Sequence, residues 1–333
     1  MLRAGAAAGT AAALGAAGIF AAGTASAATA AADAGARTAG GGTGRPPYPS
    51  GVTDTSHCTP EAAEIFRGVF AAKSEHDAAT FLSYFSTANT VYMDAVLGVA
   101  LPGLQAVSGF FTQYLPSLPA AAISYPLRIV GDTRSAAVEL VDTTAFFGYE
   151  IRALSSVTFD GNRKIIRWVD YWDGRSSLQP EVITSGYPTD FRDSEQNADP
   201  AAVQAARALQ AAFAAGDAAA AVALMSYDVV HEDMAAHTRV RGQEQARRYY
   251  TRALGQLPYG PGAALAHADG GRRGGGYEWS AAPAAAPMRR GHTCLELDQA
   301  GKISRLTAIY DSSLLSYAAY QSLAGSAAET PLP

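Results

Sequence analysis

The chain of 333 residues has little charge and almost no cysteine. Charged residues make up 17% of the chain and the net charge is −5, so we expect no basic surface for nucleic acid. Cys58 and Cys294 are the only cysteines, and their spacing does not form a metal-binding motif. In an exported protein they could form a disulfide, and the sequence leaves open whether they are bridged or free.

The motifs of several enzyme classes are also missing. The chain has no GxSxG nucleophile elbow, no phosphate-binding loop and no dinucleotide fingerprint. His237 and His292 accompany His231, but no HExxH or comparable zinc spacing is present. We therefore predict no cofactor and no metal, and we look for acid–base chemistry performed by ordinary side chains.

A long, weakly apolar run occurs at the N-terminus. Met1-Leu2-Arg3 precedes an alanine- and glycine-rich stretch at 4–23, and Ala25-Ser26-Ala27 fits a small-residue cleavage site. These features predict a signal peptide at 1–27, a secreted protein in the extracellular space or cell envelope, and no membrane contact after cleavage. A retained membrane anchor is the alternative. Residues 28–57 are rich in Ala, Gly, Thr and Pro, which predicts a disordered linker.

Residues 58–177 have the pattern of one α+β domain. Thr59-Pro60-Glu61 is typical of a helix start, and Asp77 opens a second helix. A strand at 90–94 and a third helix after Pro102-Gly103 come next. Four further strands are predicted at 123–130, 136–146, 149–159 and 164–172. Helices followed by an antiparallel meander predict three helices packed on one face of a curved sheet.

The second half of the chain repeats this pattern. After a linker predicted at 178–198, a second domain is predicted at 199–324, followed by a tail at 325–333. A self-similar pattern of this length indicates tandem domains rather than a solenoid. A Gly- and Arg-rich stretch at 270–276 departs from the first half, and it predicts that the second sheet is shorter or interrupted there.

The strand at 167–174 carries one carboxylate between two indoles. Because alternate residues of a strand share a face, Trp168, Asp170 and Trp172 lie together. An acid held in an apolar wall tends to have a raised pKa, which suits a general base that works near neutral pH. The alternative is that Asp170 meets water or a nearby arginine. The repeat pairs Tyr92 with His231, Asp94 with Asp233 and Asp170 with Ala308.

Short motifs in both halves resemble the nuclear transport factor 2-like superfamily, in its SnoaL-like (polyketide cyclase-like) branch. The matching stretches are Phe213-Ala214-Ala215-Gly216-Asp217, 228–233, Val240-Arg241-Gly242-Gln243-Glu244 and the strand at 166–174. The resemblance extends over 59–176 and 199–323. It implies two tandem cone-shaped half-barrels, each with three helices packed on a curved, mostly antiparallel sheet around an apolar pocket.

The resemblance also implies which residues line and serve the pockets. Enzymes of this family commonly use a carboxylate or a histidine on a pocket-facing strand, which points to Asp170, Tyr92, Asp94, His231 and Asp233. Asp170 would be the general base, Tyr92 a donor to a developing oxyanion, and His231 with Asp233 an acid–base dyad. The pocket walls are predicted to be Trp168, Trp172, Phe110, Tyr114, Tyr249 and Tyr310. The alternative is that Tyr92 and His231 are hydrogen-bonded core residues and that the aromatic rings fill the cones.

Two functional hypotheses follow. The first is an exported SnoaL-like protein that binds a small apolar molecule and catalyses its isomerisation, dehydration or cyclisation without a cofactor. The second is a non-catalytic module for ligand binding or protein association. Domains of this fold often pair through their sheets, so the resemblance implies pairing between the two domains or between two chains. An open cavity at Asp170 would favour the enzyme, and a filled cone the non-catalytic module.

Overall fold

A computed structural model describes residues 48–49, 51–175, 197–281, 285 and 287–328. The predicted signal peptide and most of both predicted linkers lie outside these ranges. The described residues form two α+β units, named here the first unit (51–175) and the second unit (197–328). Within these ranges no helix is both long and apolar enough to cross a membrane.

The first unit is a seven-stranded sheet with helices packed on one face. Its elements are β1 (Asp54–Cys58), α1 (Pro60–Glu75), α2 (Ala78–Leu82), β2 (Val91–Asp94), β3 (Val99–Pro102), α3 (Gly103–Ser117), β4 (Ser124–Gly131), β5 (Ser135–Asp142), α4 (Thr144–Phe147), β6 (Ile151–Phe159) and β7 (Ile165–Trp172). The strand order is β1-β4-β5-β6-β7-β2-β3. β1 is parallel to β4 and β2 is parallel to β7, while the other neighbours are antiparallel.

The second unit has the same arrangement with six strands. Its elements are α5 (Pro200–Ala214), α6 (Ala218–Ala223), β8 (Met225–Asp233), β9 (Thr238–Arg241), α7 (Gln243–Ala253), β10 (Ala264–Gly271), β11 (Gly274–Ser280), β12 (Arg290–Leu297), β13 (Ile303–Tyr310), a 3-10 turn (Ser312–Leu314) and α8 (Tyr317–Gly325). The order β10-β11-β12-β13-β8-β9 reproduces β4-β5-β6-β7-β2-β3. The α+β class is therefore confirmed in both units.

Helix starts are set by local sequence, as expected. The Thr59 hydroxyl accepts a hydrogen bond from the Ala62 N–H at 3.3 Å, and Pro60 occupies the first helical position of α1. The Asp199 carboxylate accepts from the Ala201 N–H at 2.9 Å at the start of α5. These caps satisfy backbone donors that a helix leaves unpaired at its first turn.

Three boundaries differ from the sequence prediction. The end of the predicted disordered linker forms β1, which pairs with the edge of β4. Its sequence is polar and lacks the alternation of apolar residues that would have predicted a strand. The strand is also in contact with the second unit, since the His57 Nδ1 lies 3.7 Å from Glu296. The strand predicted at 136–146 ends at Asp142, and α4 follows. The predicted tail is folded at its start, since α8 runs to Gly325 and the Ser326 carbonyl accepts from Arg252.

The glycine-rich stretch does not interrupt the second sheet, so that prediction is wrong. β10 and β11 form a hairpin, and its glycines lie where other atoms leave little room for a side chain. A Cβ added at Gly274 would lie 2.1 Å from the Leu295 carbonyl oxygen of β12 and 3.0 Å from the Val130 Cγ1 of the first sheet. One added at Gly276 would lie 2.4 Å from the His292 Nε2 and 3.0 Å from the Ala137 Cβ. The absence of side chains therefore reflects close packing within the second unit and against the first sheet, and not a loop.

The two sheets pack face to face on the sides away from their helices. The shared apolar cluster contains Met93, Val130, Ala137, Leu154, Val169, Tyr171, Met234, Cys294 and Ile309. The contact is reciprocal at the ends of β7 and β13: Asp173 accepts from the Ser312 N–H at 2.8 Å, and Asp311 accepts from the Gly174 N–H at 3.1 Å. Such an exchange is expected when two equivalent surfaces meet across a two-fold axis.

The two cysteines are free thiols in this arrangement. Cys58 packs against the core between the first sheet and its helices. Cys294 belongs to the cluster between the two sheets. They lie on opposite sides of the first sheet, which explains why they are not bridged.

Candidate functional site

The candidate site lies in the cone between the helices and the sheet of the first unit. Along β7, Trp168 and Trp172 turn toward the helices, while Arg167 and Tyr171 face the second unit. Asp170 shares the side of the two tryptophans, as predicted from the alternation of the strand. It is partly exposed, whereas both indoles are buried.

Three donors hold the Asp170 carboxylate. The Tyr92 hydroxyl donates to Oδ2 at 2.5 Å, the Trp168 Nε1–H donates to Oδ1 at 2.6 Å, and the Ser155 hydroxyl also donates to Oδ1. Ser155 was not predicted; it lies opposite Asp170 on β6, and only the register between strands could have identified it. Tyr92 is bonded to the proposed base and is not placed as a separate oxyanion donor.

Burial and hydrogen bonding act on Asp170 in opposite directions. Burial raises the pKa of Asp170 above its ordinary value, and the charge of Lys73 together with the three donors limits the rise. Burial and the adjacent Asp170 raise the pKa of Tyr92 far above its ordinary value, so Tyr92 remains a protonated donor. The site therefore contains an acidic group of raised pKa with a fixed orientation.

Asp94 lies next to Asp170 on the neighbouring parallel strand. Its Oδ1 accepts from the N–H groups of Val96 and Leu97 at 2.9 and 2.8 Å, and its Oδ2 accepts from the Trp172 Nε1–H at 3.0 Å. Burial raises the pKa of Asp94 to about 7, and Asp170 adds to the rise. Asp94 thus closes the turn between β2 and β3 and places a second carboxyl group of raised pKa next to Asp170.

Two stacked pairs of partly exposed aromatic side chains pack against the core of the first unit. Phe110 and Tyr114 of α3, predicted as pocket walls, stack with ring centroids 5.2 Å apart and are both partly exposed. Phe147 and Tyr149 stack in the same way at 6.3 Å. The structure therefore places the predicted aromatic residues of the first unit in one cluster, with the tryptophans buried and the α3 rings partly exposed.

The predicted residues of the second unit lie in a filled interior. His231 and Asp233 are fully buried, and the described hydrogen bonds of each go to other residues. His231 Nδ1 is 2.8 Å from the Tyr250 hydroxyl, while Asp233 accepts from the hydroxyls of Tyr259 and Tyr310 at 3.1 and 3.3 Å. Alternate residues of a strand are about 7 Å apart, so each side chain takes a tyrosine partner instead.

The predicted acid–base dyad is therefore wrong. Burial lowers the pKa of His231 to about 3, so the imidazole is neutral at physiological pH. Burial raises the pKa of Asp233 to about 6. Tyr249 and Tyr310, predicted as pocket walls, are fully buried core residues.

A cleft of about 490 Å³ lies beside the turn between β6 and β7 and is lined by Leu82, Phe85, Leu104, Asp160 and Lys164 among others. None of the predicted site residues lines it. In the described ranges, no group of three or more His, Cys, Asp or Glu side chains is arranged to hold a metal ion.

Comparison with known proteins bears on the second unit. Residues 206–306 match the SnoaL-like domain family. The matched stretch contains β8 to β12 and part of β13, including His231 and Asp233. No curated protein matches the chain.

Solved structures of similar fold include three bacterial proteins. A SnoaL-like protein from Burkholderia thailandensis is 17% identical, with 35% of this chain and 98% of that chain covered and a TM-score of 0.30. A protein with a ketosteroid isomerase-like fold from Catenulispora acidiphila, solved in complex with trimethylamine, is 18% identical, with 40% and 99% covered and a TM-score of 0.30. A steroid delta-isomerase from Pseudomonas aeruginosa is 16% identical, with 40% and 93% covered and a TM-score of 0.31. At these identities the similarity concerns the fold alone.

Proposed function

We propose that the first unit binds a small apolar molecule and that Asp170 exchanges a proton with it. The observation that carries the proposal is the setting of Asp170 within the cone: its side chain is partly exposed, while Trp168 and Trp172 on either side of it are buried. A carboxylate has about four acceptor positions, and three are used by Tyr92, Trp168 and Ser155. The remaining position can accept a proton from a ligand.

The reaction class follows from the groups available. A base of raised pKa can remove a proton next to a carbonyl group, and Asp94, with a pKa of about 7, can hold or return a proton nearby. Isomerisation, dehydration and cyclisation of an apolar carbonyl compound all need such transfers and no cofactor. Positioned proton transfer of this kind is typically worth about 10²- to 10⁴-fold in rate.

The wider organisation belongs to the same proposal. The shared strand order supports two tandem SnoaL-like domains at 58–177 and 199–324, of which the second carries the family match. The basic start, the apolar run and the small-residue site of the N-terminus support a signal peptide at 1–27 and a secreted protein.

A non-catalytic module is the second candidate. The observation that favours it is the set of three donors on Asp170, because these hydrogen bonds stabilise the ionised carboxylate and reduce its basicity. The extensive contact between the sheets also fits a protein built for association. A binding module would take up apolar molecules and release them unchanged.

Exchange of carbon-bound hydrogen tests the catalytic proposal without knowledge of the natural substrate. 2-Tetralone, 2-indanone and cyclohexanone are incubated in D₂O with the protein, and deuterium uptake next to the carbonyl is followed by mass spectrometry. We expect the wild type to accelerate uptake by at least one ketone above the buffer rate. Asp170→Asn should lower that acceleration about 100-fold or more.

Asp228→Asn is the matched control, because Asp228 is an exposed aspartate on β8 of the second unit. It should exchange at the wild-type rate. Equal rates for the wild type and Asp170→Asn would refute the role of Asp170. Native mass spectrometry with the same ketones separates the second candidate, which predicts binding and no exchange above the buffer.

A further inference from the structure

A lysine in the first unit lies on the wall of the candidate site. Phe66, Phe70 and Lys73 follow one another at helical spacing on one face of α1. The rings of Phe66 and Phe70 pack against Trp168, with centroids 6.2 and 6.0 Å apart. Trp168 in turn donates to Asp170. Lys73 therefore extends this layer by one helical turn, on the side of the helix that lines the cone.

The ammonium of Lys73 is fixed by one aspartate. Its Nζ lies 2.9 and 3.2 Å from the two carboxylate oxygens of Asp142, the last residue of β5, and 5.3 Å from the centre of the Phe146 ring. The side chains of Lys73 and Asp142 are only 16% and 12% exposed. Removing an ion pair from water costs free energy that often equals or exceeds the attraction between the charges, so burial of this pair does not by itself indicate a stabilising role.

The second unit forms the same fold without this ion pair. Lys73 lies four residues before the capping Asp77, and the residue four before the capping Asp217 is Phe213. The strand register that aligns Asp170 with Ala308 aligns Asp142 with Ala281. The ion pair and the candidate base therefore occur together in one unit and are absent together from the other.

We propose that Lys73 is a positioning residue of the site: anchored by Asp142, it holds a fixed positive charge on the wall of the cone and favours the ionised form of the Asp170 carboxylate. The charge of Lys73 lowers the pKa of Asp170 and is the leading influence opposed to burial. The other titratable groups around the cone are Tyr92 and Asp94 of β2, Asp142 of β5, Tyr114 of α3 and Tyr149 before β6. These are acids or phenols, so Lys73 supplies the cation among them.

The consequence for catalysis rests on the proposed function, but the charge effect can be measured without it. The protein is labelled with [4-¹³C]aspartate, and the Asp170 carboxyl signal is assigned by its loss in Asp170→Asn. The signal is then titrated in the wild type, Lys73→Met and Lys73→Arg. We expect Lys73→Met to raise the titration midpoint of Asp170 by about one pH unit, and Lys73→Arg to leave it near the wild-type value.

Two further variants guard the interpretation. Lys73→Met leaves Asp142 buried without its counter-charge, so the double variant Lys73→Met/Asp142→Asn removes both charges together. The double variant should still raise the titration midpoint of Asp170, because Lys73 is among the leading influences on the pKa of Asp170 and Asp142 is not. Lys164→Met is the control, since Lys164 is an exposed lysine whose Nζ donates to the Ser83 carbonyl. It should leave the midpoint unchanged.

An unchanged Asp170 midpoint in the folded double variant and in Lys73→Met would overturn the proposal. If the wild type catalyses deuterium exchange, the acidic limb of its pH–rate profile should shift to higher pH in Lys73→Met, together with the NMR titration midpoint of Asp170. A shifted midpoint without any exchange would uphold the charge effect and refute only the catalytic function. The two proposals can therefore fail separately.

Discussion

The ion pair between Arg167 and Glu278 should be a principal contributor to the contact between the two units. The Arg167 guanidinium donates to both oxygens of Glu278 at 2.6 and 2.8 Å, and the Tyr171 hydroxyl donates to the same carboxylate at 2.9 Å. The side chains of Arg167 and Glu278 are 2% and 4% exposed. The first partner comes from β7 and the second from β11, so the pair joins the two sheets at a site that excludes water.

Glu278→Gln removes the negative charge and leaves Arg167 buried without its carboxylate. Loss of one partner of a buried pair costs about 3–5 kcal/mol. The pKa of Glu278 gives an independent magnitude: despite burial, Arg167 lowers it from 4.5 to about 2, a difference worth about 3 kcal/mol of folding free energy. We therefore expect Glu278→Gln to lower the free energy of unfolding by about 3 kcal/mol at pH 7.

The dependence on pH has a defined sign. Because the pKa of Glu278 is lowered on folding, its contribution is fully present above pH 4.5 and is lost as the pH falls toward 2. The difference between the wild type and Glu278→Gln should therefore be constant from pH 7 to about pH 5 and shrink below that. Urea unfolding followed by tryptophan fluorescence reports on both units, since Trp168 lies in the first unit and Trp279 in the second.

Two comparisons make this prediction refutable. Glu244→Gln breaks an exposed pair with Arg247, whose side chains are 68% and 45% exposed, and should cost less than about 0.5 kcal/mol. Arg167→Met/Glu278→Leu replaces the ion pair with apolar side chains and should recover most of the loss. A cost for Glu278→Gln no larger than that of Glu244→Gln would show that the sheets are held together by other contacts.

Two further predictions concern the packing of the sheets. Gly274→Ala should destabilise the protein by more than about 2 kcal/mol, because the added Cβ would clash with the backbone of β12 and press on Val130. Gly109→Ala in α3 is the control: the space around its Cβ is open, so it should be neutral or stabilising in the same urea assay. Cys58 and Cys294 should both react with a thiol reagent when the protein is denatured without prior reduction. A protein that does not react and whose mass is lower by two hydrogen atoms would contain a disulfide between them, contrary to this expectation.

Local sequence was sufficient to predict the order of most helices and strands. The capping roles of Thr59 and Asp77 depend on neighbours two or three residues away, and both are confirmed. The common face of Trp168, Asp170 and Trp172 follows from the alternation of a single strand. Such features are decided within one element, so they can be read without knowledge of the fold.

The features that were missed depend on contacts between distant parts of the chain. Ser155 reaches Asp170 only through the register of β6 with β7, and Lys73 only through the packing of α1 on the sheet. The dyad of His231 and Asp233 was plausible on its strand, but it is excluded because tyrosines from other elements bond each side chain separately.

The internal comparison of the two units separates architecture from chemistry. Asp94 and Asp233 occupy equivalent positions, and each accepts a backbone N–H three residues further on, so this aspartate belongs to the fold of both units. Asp170 and Lys73 belong to the first unit, and the equivalent positions of the second unit are occupied by Ala308 and Phe213. The family match covers the second unit, whose interior is filled with aromatic side chains. Because function resides in the site and not in the fold, the family match of the second unit does not locate the chemistry, which we expect in the first unit, where the charged groups are.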